Sequence, residues 1–271
     1  MLKKRLLTAL VGIPLVVVAV WFDEPLSLFT VLAVVWGILA ILEFYRLVAT
    51  FKVPLLTLFG VIWTALFILS PHVQYDFTAP ILFTSGVVVS LIWLVLRSQR
   101  DGAFAGWVWT MGGVLYLGWL LSYMVALRLE GGPGWVLFAI FTTFGSDTTA
   151  YFIGRALGKH PLAPHISPHK TWEGAAAGAA GAVLVSLLFI LPTPVQLPLV
   201  YWQAMVIGLL VSVLGQFGDL AKSILKRNVG VKESGDLLPG HGGVLDRTDS
   251  IVFAGVVVYY AFLILKSFGW T

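Results

Sequence analysis

Ten of the thirty Asp, Glu, Lys and Arg residues in this 271-residue chain fall between Gly215 and Asp249: Asp219, Lys222, Lys226, Arg227, Lys232, Glu233, Asp236, Asp246, Arg247 and Asp249. A solvated loop would also be charged, but three details set this window apart. Asp219 stands in Gly215-Gln-Phe-Gly-Asp-Leu-Ala, still inside an apolar stretch. A carboxylate there costs about 2.5 to 3.5 kcal/mol at a membrane helix centre, so such groups line cavities or pair with cations. Asp219, Lys222 and Lys226 follow at i, i+3 and i+7, with Ser223 adjacent, which puts a carboxylate and cations on one helical face. Asp246 and Asp249, three apart, share a face at the start of the last apolar stretch. Two oxygen donors so spaced, joined by Asp219 from another helix, suit a hard cation such as Mg²⁺.

Between these carboxylates runs Leu238-Pro-Gly-His-Gly-Gly-Val244. Glycines of this kind serve a tight turn, or they let backbone N–H groups approach phosphate oxygens. Lys226, Arg227, Lys232 and Arg247 on either side favour a nucleotide-phosphate cradle shaped by Gly240, Gly242 and Gly243, with His241 able to donate a hydrogen bond or move a proton. It is not a P-loop, since no Gly-x4-Gly-Lys-Ser/Thr string occurs.

A second polar cluster lies upstream. Phe144-Gly-Ser-Asp147-Thr-Thr-Ala-Tyr151 puts a carboxylate within an apolar stretch, and Ile166-Ser-Pro-His-Lys170-Thr-Trp-Glu173-Gly174 follows it. Asp147 is open to two readings: a polar group satisfied by Ser146, Thr148 or a lysine, or part of a site. His160, His165 and His169 lack the helical i, i+4 spacing of a zinc pair, because Pro168 interrupts the one suitable interval, and they read as a solvated loop near lipid headgroups. Glu43 and Arg46 read as an i, i+3 pair. The eleven tryptophans suit interfacial belts.

The elements that position these groups are membrane helices. The chain is 59% hydrophobic and 11% charged, with a mean hydropathy of +0.94, whereas soluble domains carry about 25% charged residues. About 20 apolar residues cross about 30 Å of hydrocarbon. The sequence divides into nine such stretches, near 6–22, 26–42, 53–70, 79–96, 103–127, 135–154, 174–191, 199–221 and 250–268. Their junctions are marked by Pro25, Pro54, Pro80, Gly102, Pro133, Pro192 and Pro198. The first stretch runs too long for a cleavable signal and reads as a retained span. The expected fold is therefore all-α and polytopic, with five spans in 1–130, a catalytic region in 131–271, and loops at 155–173 and 222–249.

Alternating sides collect fifteen Lys and Arg on one and only Arg128 and Lys266 on the other. Basic residues resist translocation, which predicts a cytoplasmic N-terminus and an outside C-terminus. The small-residue face Gly174-Ala-Ala-Ala-Gly178-Ala-Ala-Gly181 would let another helix approach closely. Absence of cysteine excludes thiolate nucleophiles and cysteine metal sites. The net charge of +4 is not organised as a basic run with stacking aromatics, which argues against nucleic acid.

Ser223-Ile-Leu-Lys226-Arg227, four residues, Lys232-Glu233, then Leu238-Pro239-Gly240-His241-Gly242-Gly243-Val-Leu-Asp246-Arg247-Thr-Asp249 closely resembles the signature of the phosphatidate cytidylyltransferases, or CDP-diacylglycerol synthases. The strings Ser146-Asp147-Thr-Thr-Ala-Tyr151-Phe-Ile-Gly154-Arg155, Ser167-Pro-His-Lys170-Thr-Trp-Glu173-Gly174 and Gly218-Asp219 are similar to the family's other motifs. The first 130 residues match only as a hydrophobic pattern. One departure is Glu233, where the signature usually has Asp.

The resemblance implies a nine-helix homodimer of the inner membrane with a cytoplasm-facing site. It would convert CTP and phosphatidic acid to CDP-diacylglycerol and pyrophosphate using Mg²⁺, with a second ion such as K⁺. Under it, Asp219, Asp246 and Asp249 hold metal, with Asp147 as a further ligand or orienter. Lys226, Arg227, Lys232 and Arg247 neutralise phosphates. Lys170, Glu173 and Ser223 complete the site, with His241, Gly240, Gly242 and Gly243 as the cradle. The rival readings are a CTP-dependent lipid kinase of the dolichol kinase type, which releases CDP, and a cation-coupled transporter. The transporter would carry inverted repeats with paired interrupted helices, and neither is visible in the sequence.

Overall fold

The structure, a computed structural model, describes residues 12, 14–22, 28–73, 75–97, 101–231, 234–235 and 242–270. The described chain is helical almost throughout: α1 (Leu28–Val48), α2 (Thr57–Leu69), α3 (Thr78–Arg97), α4 (Ala103–Gly131), α5 (Pro133–Leu157), α6 (Trp172–Leu188), α7 (Tyr201–Val229) and α8 (Leu245–Ser267). Among the described residues, six helical segments are long and apolar enough to cross a membrane: Leu28–Phe51, Thr78–Leu96, Ala103–Gly131, Pro133–Leu157, Tyr201–Val229 and Leu245–Ser267. Thr57–His72 and Trp172–Leu188 are shorter apolar helices. Of the stretch expected at 6–22, residues 12 and 14–22 are described, and 14–21 is helical. Large apolar side chains such as Leu58, Val95, Leu96, Leu184 and Phe217 are exposed along these helices, as lipid-facing surfaces require.

The chain forms two compact units, one of residues 1–129 with 228–248, the other of 130–227 with 249–271. In the first, Ile41, Val48, Phe67, Ile68, Leu117 and Met124 are fully buried or nearly so. Small residues let its helices close up. A methyl group on Gly118 would lie 2.9 Å from the Thr64 Cα, closer than atoms pack. Gly118 sits in Val114–Trp119, where α4 widens into a π-helical turn, an insertion that re-aims side chains along a helix.

In the second unit α5 and α6 pack through the small-residue face expected at 174–181. A methyl group on Gly178 would lie 3.1 Å from Ala150 Cβ, and one on Gly174 3.1 Å from the Gly154 Cα. Inside that unit, Ser146 and Ser212 share a hydrogen bond of 2.7 Å, and Gln216 donates to Ser212 Oγ at 3.0 Å and to the Ala175 carbonyl at 3.2 Å. Buried polar atoms in a membrane interior need such partners.

The loop expected at 155–173 has regular structure, and the described start of the one expected at 222–249 is helical. The segment 155–173 contains the end of α5, an antiparallel hairpin of β1 (Pro161–Ala163) and β2 (Ser167–Thr171), and the start of α6. Three prolines hide the hairpin from sequence patterning, yet Ile166 N–H donates to the Ala163 carbonyl and Trp172 N–H to the His160 carbonyl. His160, His165 and His169 are exposed along it. The segment expected to begin as a loop at 222 instead continues α7 to Val229, because nothing breaks the helix before Gly230, whose φ is 79°.

Candidate active site

Gly218 makes the central arrangement possible. A methyl group there would lie 2.6 Å from Phe253 Cδ2 and 2.9 Å from the Asp249 carbonyl oxygen, so only glycine lets α7 come this close to residues 249–253 of α8. The next residue, Asp219, then meets Asp249 carboxylate to carboxylate. The Lys222 ammonium lies between them, 2.5 Å from Asp249 Oδ2 and 3.3 Å from Asp219 Oδ1, with its side chain 6% exposed. Lys170, carried by β2, reaches Asp219 Oδ2 at 2.6 Å from the other side. Two carboxylates and two ammoniums thus form a neutral quartet, which removes the several kcal/mol that each uncompensated buried ion would cost.

Asp249 Oδ2 is buried against the Lys222 ammonium. Among the described residues no three His, Asp or Glu side chains converge as a ready metal cage. The Asp219–Asp249 pair nonetheless suits Mg²⁺, which takes one or two carboxylates and completes its octahedron with water and substrate phosphate oxygens.

The sequence matches the cytidylyltransferase family over residues 3–265. The chain belongs to that family. It is 37% identical over 261 residues to a phosphatidate cytidylyltransferase of Brucella abortus biovar 1 (strain 9-941), covering 95% of this chain and 92% of that protein. It is 33% identical over 237 residues to the phosphatidate cytidylyltransferase of Bacillus subtilis (strain 168), covering 86% and 87%. With its apolar helices, this cytidylyltransferase-family chain is a multi-pass membrane protein.

The other expected site residues fall as follows. Asp246 Oδ2 accepts from Ser234 N–H and Ser234 Oγ, both at 2.9 Å, and from Gly243 N–H at 3.4 Å, so it organises the segment leading into α8. Ser223 and Lys226 are half-buried along α7, and Arg247 is exposed in the first turn of α8. Arg227 donates to the Ile166 carbonyl at 3.1 Å, tying the hairpin turn to the end of α7. Asp147 is exposed on α5, one residue after the buried Ser146. Gly242 adopts φ 82°, a left-handed conformation that glycine takes without strain. Lys232, Glu233, Gly240 and His241 lie outside the described residues.

Glu173 is engaged close to home. His160 Nδ1–H donates to its Oε1 at 2.6 Å and His160 N–H to its Oε2 at 3.3 Å, while Thr171 Oγ1 caps α6 by accepting from Gly174 N–H. The His160 hydrogen bond comes first among the contacts that hold the Glu173 carboxyl down at about 2, against an ordinary 4.5. A depressed carboxyl contributes stability above its unfolded value and loses it as pH falls through the folded one. Backbone amides of 160–173 are therefore expected to exchange faster as pH drops from about 4.5 towards about 2 once the intrinsic rate is divided out. The E173Q variant is expected to lack that dependence in hydrogen-exchange mass spectrometry.

Two residues carry more here than their sequence context suggested. Lys222 was visible at i+3 from Asp219, but its place between two carboxylates requires α8, which spacing along α7 does not reveal. Glu43, expected to pair with Arg46, instead turns inward at 3% exposure and accepts hydrogen bonds from Val244 and Leu245, while Arg46 is exposed. Gly235 and Gly243 explain the difference. A Cβ on either would press against the Glu43 carboxylate, and their bare backbone leaves it room.

Proposed function

We propose that this chain transfers CMP from CTP to phosphatidic acid, giving CDP-diacylglycerol and pyrophosphate. The observation that carries the reading is the neutral quartet in which Asp219, Lys222 and Asp249 of two membrane helices meet Lys170 of the hairpin, in a cytidylyltransferase-family chain. In this reaction an oxygen of the lipid phosphate attacks the α-phosphorus of CTP, the new P–O bond forms, and the bond to the departing pyrophosphate breaks. Both reactants are polyanions, so the problem is electrostatic and needs no protein nucleophile.

Asp219 and Asp249 would hold Mg²⁺. When bound, the ion offsets negative charge on the attacking and leaving oxygens. Asp246 and Asp147 are proposed as further ligands on their sequence positions, and a second ion such as K⁺ on the family resemblance. Lys170 and Lys222 are already tethered at the carboxylates, where their ammoniums can turn from carboxylate to phosphate oxygens. Lys226, Arg227, Lys232 and Arg247 supply further positive charge, and Gly240, His241, Gly242 and Gly243 the phosphate cradle. Glu173 and Ser223 would support the bound substrates.

The nine apolar stretches support nine spans, and the sorting of Lys and Arg between their ends supports an N-terminus in the cytoplasm, a C-terminus outside and a site facing the cytoplasm of the inner membrane. A homodimer follows from the family resemblance. The test uses purified protein in detergent with phosphatidic acid, Mg²⁺ and each of four nucleoside triphosphates. Pyrophosphate is expected only with CTP or dCTP, and a chelator is expected to suppress it. CDP in place of pyrophosphate would overturn the reading in favour of a lipid kinase. Ion flux into liposomes without turnover would favour a transporter.

A further inference from the structure

We infer that Glu43 is a positioning residue for the proposed reaction: from α1 it fixes the entry into α8 and, through Ser234, the carboxylate of Asp246. The inference rests on the reaction proposed above. Its geometry lies wholly within the unit of residues 1–129 and 228–248.

The first N–H groups of any helix lack intrahelical partners, and a side-chain acceptor just before the helix normally supplies one. Here α8 is preceded by Gly243 and Val244, neither of which has an acceptor. Glu43 fills the role from some two hundred residues away. Val244 N–H donates to its Oε1 at 3.0 Å and Leu245 N–H to its Oε2 at 2.9 Å. A buried carboxylate is tolerated only where donors and positive potential meet it, and a helix N-terminus provides both. Seven residues earlier on α1, Trp36 Nε1–H donates to Thr248 Oγ1 at 2.8 Å. One face of α1 therefore grips the first turn of α8 at two points.

The grip extends to Asp246. The Ser234 hydroxyl lies 3.3 Å from Glu43 Oε2 and 2.9 Å from Asp246 Oδ2, placed to donate its one proton to either carboxylate. Ser234 N–H and Gly243 N–H bond to that same Asp246 oxygen. Glu43 thus holds the helix backbone beneath Asp246 and the hydroxyl that orients its side chain. A carboxylate serving a phosphoryl-transfer site must be placed within about half an ångström, and misplacement by about 1 Å costs about 100-fold in rate.

The test compares full-length wild type with E43Q, E43D, S234A, E43Q/S234A and R46A in detergent. Gln conserves volume but loses the charge and turns an amide NH₂ towards a backbone N–H. For E43Q, kcat is expected to fall about 100-fold while KM for CTP stays within about threefold, since the group acts through a positioned carboxylate and not on substrate. E43D, which keeps the charge, is expected to recover part of kcat. The double variant is expected to lose little beyond E43Q alone, because the two residues act in one chain. Amide exchange is expected to rise at 242–248 in E43Q and stay unchanged in α2. R46A is expected to match wild type.

Wild-type turnover or exchange in E43Q overturns the inference, as does additivity with S234A or an R46A variant that reproduces E43Q. Should E43Q not fold, a kcat and exchange pattern in E43D equal to wild type overturns it equally. An inactive wild type would instead sink the reaction, whereas an active wild type with an indifferent E43Q sinks only the role of Glu43.

Discussion

Replacing Asp249 with Asn is expected to lower kcat by about 10²- to 10³-fold, the scale of removing one preorganised electrostatic group from a reacting centre. The substitution is nearly isosteric. Lys222 keeps Asp219 as a partner at 3.3 Å, so the protein should remain folded and extractable. What is lost is the buried negative charge that faces Asp219 and the Lys222 ammonium. Pyrophosphate release under saturating CTP, phosphatidic acid and Mg²⁺ measures the effect. Asp246→Asn is expected to lower turnover as well. Near-normal rates in both variants would remove these carboxylates from the chemistry.

The second large effect is on stability. In K222M the Asp219 and Asp249 carboxylates would face each other with Lys170 as the only tethered ammonium of the quartet left. Breaking a buried ion pair by deleting one partner costs about 3 to 5 kcal/mol. Thermal unfolding in detergent is therefore expected to shift sharply downward in K222M. The double variant K222M/D249N is expected to regain much of the loss, because it removes one charge of each sign and leaves Lys170 paired with Asp219 at 2.6 Å. If K222M melts with wild type, neutrality of the quartet is not what holds this region together.

Membrane helices were legible because their signal is compositional: a long apolar run bounded by Pro, Gly or charge needs no knowledge of its neighbours. Asp219 was legible for the same reason, as a costly group in an apolar context. Its partner lysine from β2 was less so. Lys170 was assigned to the site by motif, but the hairpin that delivers it is short, proline-rich and free of alternating hydrophobicity, so periodicity had nothing to detect. Glu43 shows the opposite failure. Its local context offered an obvious partner in Arg46, and the interaction that wins is with backbone donors two hundred residues later. Donors of that kind carry no side-chain signature, since every residue except proline has one. Gly243 was read as a phosphate cradle or a turn, and its packing against Glu43 and Ser234 is a third use that sequence does not distinguish.

The hairpin that carries Lys170 also acts as a ruler. Lys170 lies in β2, which is anchored at both ends, by the turn carbonyl of Ile166 to Arg227 and by the Thr171 cap on α6. A one-residue deletion within β2 would bring His169 or Thr171 to the position of Lys170, exchanging its ammonium for an imidazole or a hydroxyl. Residues added at the tip near Pro164 and His165 would leave that register alone. Lengthening is thus cheap at the tip and prohibitive in the arm, which makes the tip the place to insert a label or an affinity tag.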